Sequence, residues 1–199
     1  MGLNNASTYI QVKPDLNEND HIWLTYIGHQ GGISSLQHPK VKKIFSLYFA
    51  DATLAFKRTP AGKPYLLSST NSDIHFSIAH SQGFLVVALS QINVGIDLES
   101  LERARSYKKI SQKYFAEEIV SLEDFYRSWT AREAFIKALG QKIATSLAST
   151  QVLISPSEFL VGNDQGLTHR ADFFHWRNRL VGALCRPENC SRSWTMFEI

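Results

Sequence analysis

The sequence predicts an α+β fold, with strands and helices in both halves of the chain, and three observations carry that expectation. Residues 73–99 hold three β-patterned segments in close succession, residues 104–139 are helical in pattern, and after Gly140 the chain returns to β-like segments. The 199 residues are 44% hydrophobic and 12% aromatic, enough for one large or two small cores and too apolar for a disordered chain. The pattern balances near residue 92, which divides the chain into an N-terminal half, 1–92, and a C-terminal half, 93–199.

Taken in order, "HIWLTYIG" (21–28) reads as a strand. "HPKVKKIFSLYFADATLAFK" (38–57) has helix-like periodicity, with Val41, Ile44, Phe45, Tyr48 and Phe49 on one side. "TPAGKPYL" (59–66) is a turn segment, punctuated by two prolines and a glycine. "DIHFSIA" (73–79) alternates, "FLVVALS" (84–90) is apolar throughout, and "NVGIDLE" (93–99) alternates again. With links as short as "HSQG" and "QI", the simplest arrangement is an antiparallel meander. Its first and third strands run the same way, so His80 would share a sheet edge with Asp97 and Glu99. From Ala104 to Leu139 the pattern is helical, with a break near Phe115–Ala116, and "QVLIS", "DFFHWRN", "LVGALCR" and "WTMFEI" close the chain as strands.

Charge and cysteine content narrow the classes. Twenty-one Lys and Arg against 18 Asp and Glu give a net charge of +3, which suits a phosphate-bearing ligand or an acidic partner and is too weak to argue for nucleic acid. Two cysteines, Cys185 and Cys190, are too few for a disulfide-built domain and lack further metal ligands nearby, so ordinary thiols in a reducing cytoplasm are expected. "MGLNNASTYIQVK" has no cationic start ahead of an apolar core, and Ala6 breaks the myristoylation pattern. No apolar run approaches the ~20 residues of a membrane span. A soluble, cytoplasmic monomer without a membrane partner is expected.

The chemistry concentrates in two places. In "VGIDLES" (94–100), Val94, Ile96 and Leu98 fall on one strand face and Gly95, Asp97 and Glu99 on the other, which holds two like charges roughly 7 Å apart. In "FYRSWTAREAFIKALG" (125–140), a helical wheel is apolar over most of its arc, interrupted by Arg132, while Glu133 and Lys137 share a narrow polar stripe at i and i+4. An intrahelical ion pair accounts for that stripe alone and is worth a few tenths of a kcal/mol. Asp97, Glu99, Glu133 and Lys137 together suggest a divalent ion with a phosphate nearby, since magnesium takes oxygen ligands and shares its shell with substrate phosphates.

"GKP", "FSIAHS", "VGIDLE" and "WTAREAFIKALG", in that order and spacing, closely resemble the 4′-phosphopantetheinyl transferase superfamily, in particular its larger, surfactin-type class. The resemblance covers residues 62–140 well and the flanks loosely. It implies two related α+β halves with a pseudo-two-fold relation, each a small antiparallel sheet packed with helix, and a cofactor site between them. It implies metal ligands at Asp97, Glu99 and Glu133, coenzyme A phosphate contacts at His80 and Lys137, and a turn beside the nucleotide at Gly62, Lys63 and Pro64. The activity implied is of the holo-[acyl-carrier-protein] synthase type. Phosphopantetheine moves from coenzyme A, the co-substrate, to a serine of an acyl or peptidyl carrier, with Mg2+ or Mn2+ as the metal. Glu133 is the first candidate for the base that takes the serine proton; Glu118, which fits the family's further glutamate better than Glu117, is the second.

Three departures stand out. The family's S-H-S reads Ala79-His80-Ser81, its lysine before the helix glutamate is Arg132, and its N-terminal basic residues have no clear counterpart among Lys40, Lys42, Lys43 and Arg58. Two other classes compete on the residues alone. A metal-dependent nuclease would use the same carboxylates and lysine. A non-enzymatic nucleic-acid-binding module would leave them structural and bind in a salt-dependent way. Neither explains the G-K-P and A-H-S segments. Trp129 and Phe135 are expected in the core, His75 is expected to be exposed, and His169 and His175 do not form a metal pair.

Overall fold

The computed structural model describes residues 15–17, 19–28, 35–49, 55–67, 74–103, 106–115, 117–154 and 159–199. The readings made on residues 1–13 and on Asp73, Ala104 and Ala116 lie outside the described residues. The architecture is α+β, as expected.

Four strands, β1 (Asn19–Tyr26), β4 (His75–Ser81), β5 (Phe84–Ser90) and β11 (Ser193–Glu198), form a first sheet in the order β11-β1-β5-β4. Five more, β6 (Gly95–Ser100), β7 (Thr150–Ile154), β8 (Phe159–Asn163), β9 (Thr168–Trp176) and β10 (Leu180–Pro187), form an antiparallel sheet in the order β6-β10-β9-β8-β7. β2 (Ala55–Arg58) and β3 (Pro64–Leu67) make a separate hairpin. The first sheet is mixed, because β11 returns from the far end of the chain to pair in parallel with β1.

The meander expected from residues 73–99 forms only in part. β4 and β5 pair antiparallel, with His75 opposite Ser90, but β6 leaves that sheet and pairs with β10. An alternating strand fits either sheet equally well, so its period does not choose the partner. The helical spacing read over 38–57 also runs too far. Helix α1 (Pro39–Ser46) has proline at its first position and a capping His38 that accepts a hydrogen bond from the Lys40 amide; Ala55–Lys57 belong to β2. The break near Phe115 is present, between α2 (Tyr107–Tyr114) and α3 (Leu122–Ala138). Ser121 caps α3, and Glu123 and Asp124 in its first turn complement the helix dipole. A short α4 (Ile143–Ser146) follows.

The layers follow from the alternation. Trp23, Val87 and Leu89 face α1 residues Val41, Ile44 and Phe45 in one core. Ile22, Leu24, Val86 and Ala88, on the other face of the first sheet, meet Val94 and the β6 residues Ile96 and Leu98, together with Phe174 and Leu184. The far face of the second sheet packs on α3 through Ala131, Ala134 and Phe135. The core is therefore two stacked sheets between two helices. A buried ion cluster ties the sheets together: Asp20 on β1 accepts from Arg186 on β10 at 3.0 Å, from Arg192 at 2.8 Å and from Ser90 at 2.5 Å. None of this cluster is visible as a motif. No helix among the described residues is long and apolar enough to cross a membrane.

Candidate active site

Close approach of α3 to β6 sets the geometry. A Cβ at Gly95 would stand 1.8 Å from the Ala134 carbonyl oxygen and 2.5 Å from the Ala138 nitrogen, so the helix lies directly on the strand backbone there. Asp97 and Glu99 share the Gly95 face and are carried against α3, where both are nearly fully buried. Lys137 Nζ reaches Asp97 Oδ1 at 2.5 Å and Glu133 Oε2 at 3.7 Å. Burial alone would lower the Lys137 pKa; the charges of Asp97, Glu133 and Glu99 outweigh it and hold the ammonium above the ordinary lysine value.

β4 and β6 lie side by side although they belong to different sheets. Ser77 Oγ accepts the Ile96 amide at 3.1 Å and Ser81 Oγ accepts the Ser100 amide at 3.2 Å, a parallel register made by serine hydroxyls. His80 is thereby brought to the same place as Asp97 and Glu99. The expected convergence holds, by a route other than the meander. Ser81 also donates to Glu99 Oε2 at 2.9 Å, and Arg103 approaches that oxygen at 3.9 Å.

A cavity of about 650 Å³ lies here, lined by Gly62, Lys63, Pro64, His80, Asp97, Glu99, Glu133 and Lys137. The β2–β3 turn forms one wall: Gly62 takes a left-handed conformation with φ +97°, and Arg58 Nη1 donates to its carbonyl at 2.9 Å. Lys63 Nζ donates to Asn93 Oδ1 at 2.7 Å and to the Ala138 carbonyl at 2.9 Å, anchoring the turn to the C-terminal end of α3. Burial lowers the Lys63 pKa to about 8.

Of the four N-terminal basic candidates, only Arg58 lines the cavity; Lys40 instead reaches the carbonyls of Tyr26 and Ile199. Glu118 is exposed and does not line the cavity. Glu117 is held by both terminal nitrogens of the fully buried Arg132, at 2.6 and 2.7 Å. Arg132, at the family's lysine position, therefore faces the α2–α3 connection, and its guanidinium stacks on Phe115 at 4.0 Å. Arg103, Gln141 and Lys142 also line the cavity and were not singled out from sequence. Arg103 sits four residues beyond Glu99, a helix-like spacing realised here by a turn after a strand, and Lys142 follows Gly140, which ends α3 with φ +66°.

Among the described residues, no three His, Cys, Asp or Glu side chains are grouped as a ready metal cage. Asp97 and Glu133 share the Lys137 ammonium instead. The donor set is nonetheless of the chemistry a hard divalent ion takes, because Asp97, Glu99 and Glu133 present only carboxylate oxygens to one cavity.

The model of the 4′-phosphopantetheinyl transferase superfamily matches residues 93–185, a span that runs from just before β6 into β10 and contains Asp97, Glu99, Glu133 and Lys137. Over that span, just under half of its residues, the chain is similar to this superfamily. A Synechocystis protein provisionally named a 4′-phosphopantetheinyl transferase is 35% identical over 135 residues, 62% of this chain and 53% of its own. The 4′-phosphopantetheinyl transferase gsp of Aneurinibacillus migulanus is 32% identical over 105 residues, 48% and 42% of the two chains. The transferase HetI of Nostoc is 32% identical over 109 residues, 49% and 46%. The chain thus spans about half the length of the curated superfamily members it matches.

Proposed function

We propose that this chain transfers the 4′-phosphopantetheine group of coenzyme A to a serine of an apo acyl or peptidyl carrier protein, as a superfamily member of the surfactin-type class. The observation that carries the reading is the cavity. It gathers a glycine–lysine–proline turn, a histidine, three carboxylates and a lysine from four separate stretches of chain, on both sides of residue 92. This supports a site between two halves, 1–92 and 93–199. The reading takes the protein as a monomer, and the free thiols Cys185 and Cys190 suit a reducing cytoplasm.

In this reading the Gly62–Lys63–Pro64 turn flanks the nucleotide, and His80 and Lys137 meet phosphate oxygens by charge-assisted hydrogen bonds. Asp97, Glu99 and Glu133 would hold Mg2+ or Mn2+, which when bound would neutralise pyrophosphate charge. The carrier serine oxygen forms a bond to the β-phosphorus as the bond from that phosphorus to the bridging oxygen breaks. The electron pair of the broken bond leaves with adenosine 3′,5′-bisphosphate. Glu133 accepts the serine proton, with the Lys137 ammonium 3.7 Å from its Oε2. Glu118, outside the cavity lining, is the second candidate base, acting directly or through a water.

Release of adenosine 3′,5′-bisphosphate tests the reading by chromatography of the nucleotide products. One equivalent per apo-carrier, absent without carrier or without divalent metal, is expected. Cleavage of DNA or RNA with no such release would favour the nuclease.

A further inference from the structure

We propose that Ser81 is a positioning residue that fixes the Glu99 carboxylate for the metal, an inference that rests on the metal-dependent transferase reading. The serine closes the A-H-S segment at the end of β4. Its neighbour His80 points into the cavity, but Ser81 alternates to the opposite, buried face. There its hydroxyl is committed at both ends: the oxygen accepts from the Ser100 amide at 3.2 Å, and the single proton is directed to Glu99 Oε2 at 2.9 Å. Ser81 and Glu99 are 5% and 6% exposed, so water competes little for this bond.

One hydroxyl therefore does two jobs. It stitches β4 to β6, and it holds a carboxylate in a single orientation before any ion arrives. Ser77 supplies an internal comparison, since its hydroxyl makes the equivalent stitch to the Ile96 amide at 3.1 Å from the same face of β4. A stitching role alone predicts that the two serines behave alike. A positioning role predicts that only Ser81 affects metal affinity, because a pre-oriented ligand loses less freedom when the ion binds.

The test is Mn2+ binding by electron paramagnetic resonance, with coenzyme A present, in the full chain and its Ser81→Ala, Ser81→Cys and Ser77→Ala variants. Ser81→Ala is expected to weaken Mn2+ binding by about tenfold to a hundredfold, the usual effect of losing a partner behind a metal ligand. It should raise the Mg2+ concentration for half-maximal transfer far more than it lowers kcat at saturating metal. Ser77→Ala should lower the melting temperature while leaving Mn2+ affinity unchanged. Ser81→Cys keeps nearly the same volume with only a weak S–H donor, so it carries the test should the alanine variant not fold. Unchanged Mn2+ affinity in the folded Ser81 variants, or equal loss in Ser77→Ala, would overturn the positioning role. Failure of the unsubstituted chain to bind Mn2+ at all would overturn the metal reading itself, a distinguishable result.

Discussion

Lys137 Nζ lies 2.5 Å from Asp97 Oδ1, so the C-terminal turn of α3 is clamped to the acidic strand β6 by an ion pair that is mostly buried. The same ammonium sits 3.7 Å from Glu133 Oε2, so one cation serves a strand carboxylate and a helix carboxylate at once. Asp97 and Glu133 are thereby held together by one ammonium, while Arg103 approaches Glu99 at 3.9 Å.

Removing that cation should be felt first in stability. Lys137→Ala leaves Asp97, Glu99 and Glu133 facing one another, and a broken buried pair typically costs about 3–5 kcal/mol. The loss here should fall below that range, because Lys137 keeps 23% of its side chain exposed. Thermal melting of Lys137→Ala should show a lowered midpoint that Mg2+ largely restores, with weakened coenzyme A binding. A melting curve indifferent to both the substitution and Mg2+ would remove the shared-cation account.

Glu133→Gln keeps the shape of the side chain and cannot take a proton. Single-turnover transfer should slow by about a hundredfold or more, the scale of general-base loss, while coenzyme A binding changes little. Glu118→Gln, altered at an exposed position outside the cavity lining, should be much the milder variant. Recovery of Glu133→Gln to the unsubstituted rate at saturating Mg2+ would reduce Glu133 to a metal ligand and return Glu118 to first place.

Gly95→Ala tests why a glycine precedes the acidic pair. The added methyl would stand 1.8 Å from the Ala134 carbonyl oxygen, against backbone that cannot swing aside as a side chain can. Helix and strand must separate, at a cost of about 1–3 kcal/mol or more. Denaturant melts should show the loss, and transfer should fall with it because Asp97 and Lys137 move apart. Near-normal stability would mean that α3 does not rest on β6 as described.

The pH dependence of stability follows from a buried histidine. His21 Nδ1 and the Tyr48 hydroxyl lie 2.7 Å apart in the core under α1, and the Trp23 indole donates to the same hydroxyl at 2.7 Å. Burial holds the His21 pKa below its ordinary value, against the raising influence of Asp20 and Asp15. The unfolded chain therefore binds this proton more readily than the folded one. Stability is complete above the unfolded pKa of about 6.5 and declines as pH falls toward the lower folded value. Denaturant melts between about pH 7.5 and about pH 5.5 should show a slope of up to about 1.4 kcal/mol per pH unit from this group, reduced in His21→Gln. His169, whose pKa burial also lowers, adds in the same direction. Stability flat across this window would contradict the assignment.

What could be read from sequence was local periodicity joined to chemistry. The two-residue repeat put Asp97 and Glu99 on one face with Gly95, and the helical repeat put Glu133 and Lys137 on one stripe; both survive in the structure. Choice of partner strand could not be read, because β6 satisfies its alternation in either sheet and its transfer to β10 depends on residues 80 to 90 positions away. β8 was missed, since "FLVGN" is five residues long with little alternation. Arg132 reads only as an interruption of the apolar arc of α3 and Arg186 carries no local signal, yet both are almost wholly buried against carboxylates 15 and 166 residues distant. Nothing local distinguishes a buried arginine from a solvated one; its distant partner does.

The most direct measurement is the intact mass of apo-carriers incubated with this protein, coenzyme A and Mg2+. The account predicts a gain of one phosphopantetheine on the carrier serine with at least one acyl or peptidyl carrier, abolished when that serine is replaced by alanine and slowed by about a hundredfold or more when Glu133 is replaced by glutamine. Unmodified carriers across a broad panel, with coenzyme A intact, would contradict it.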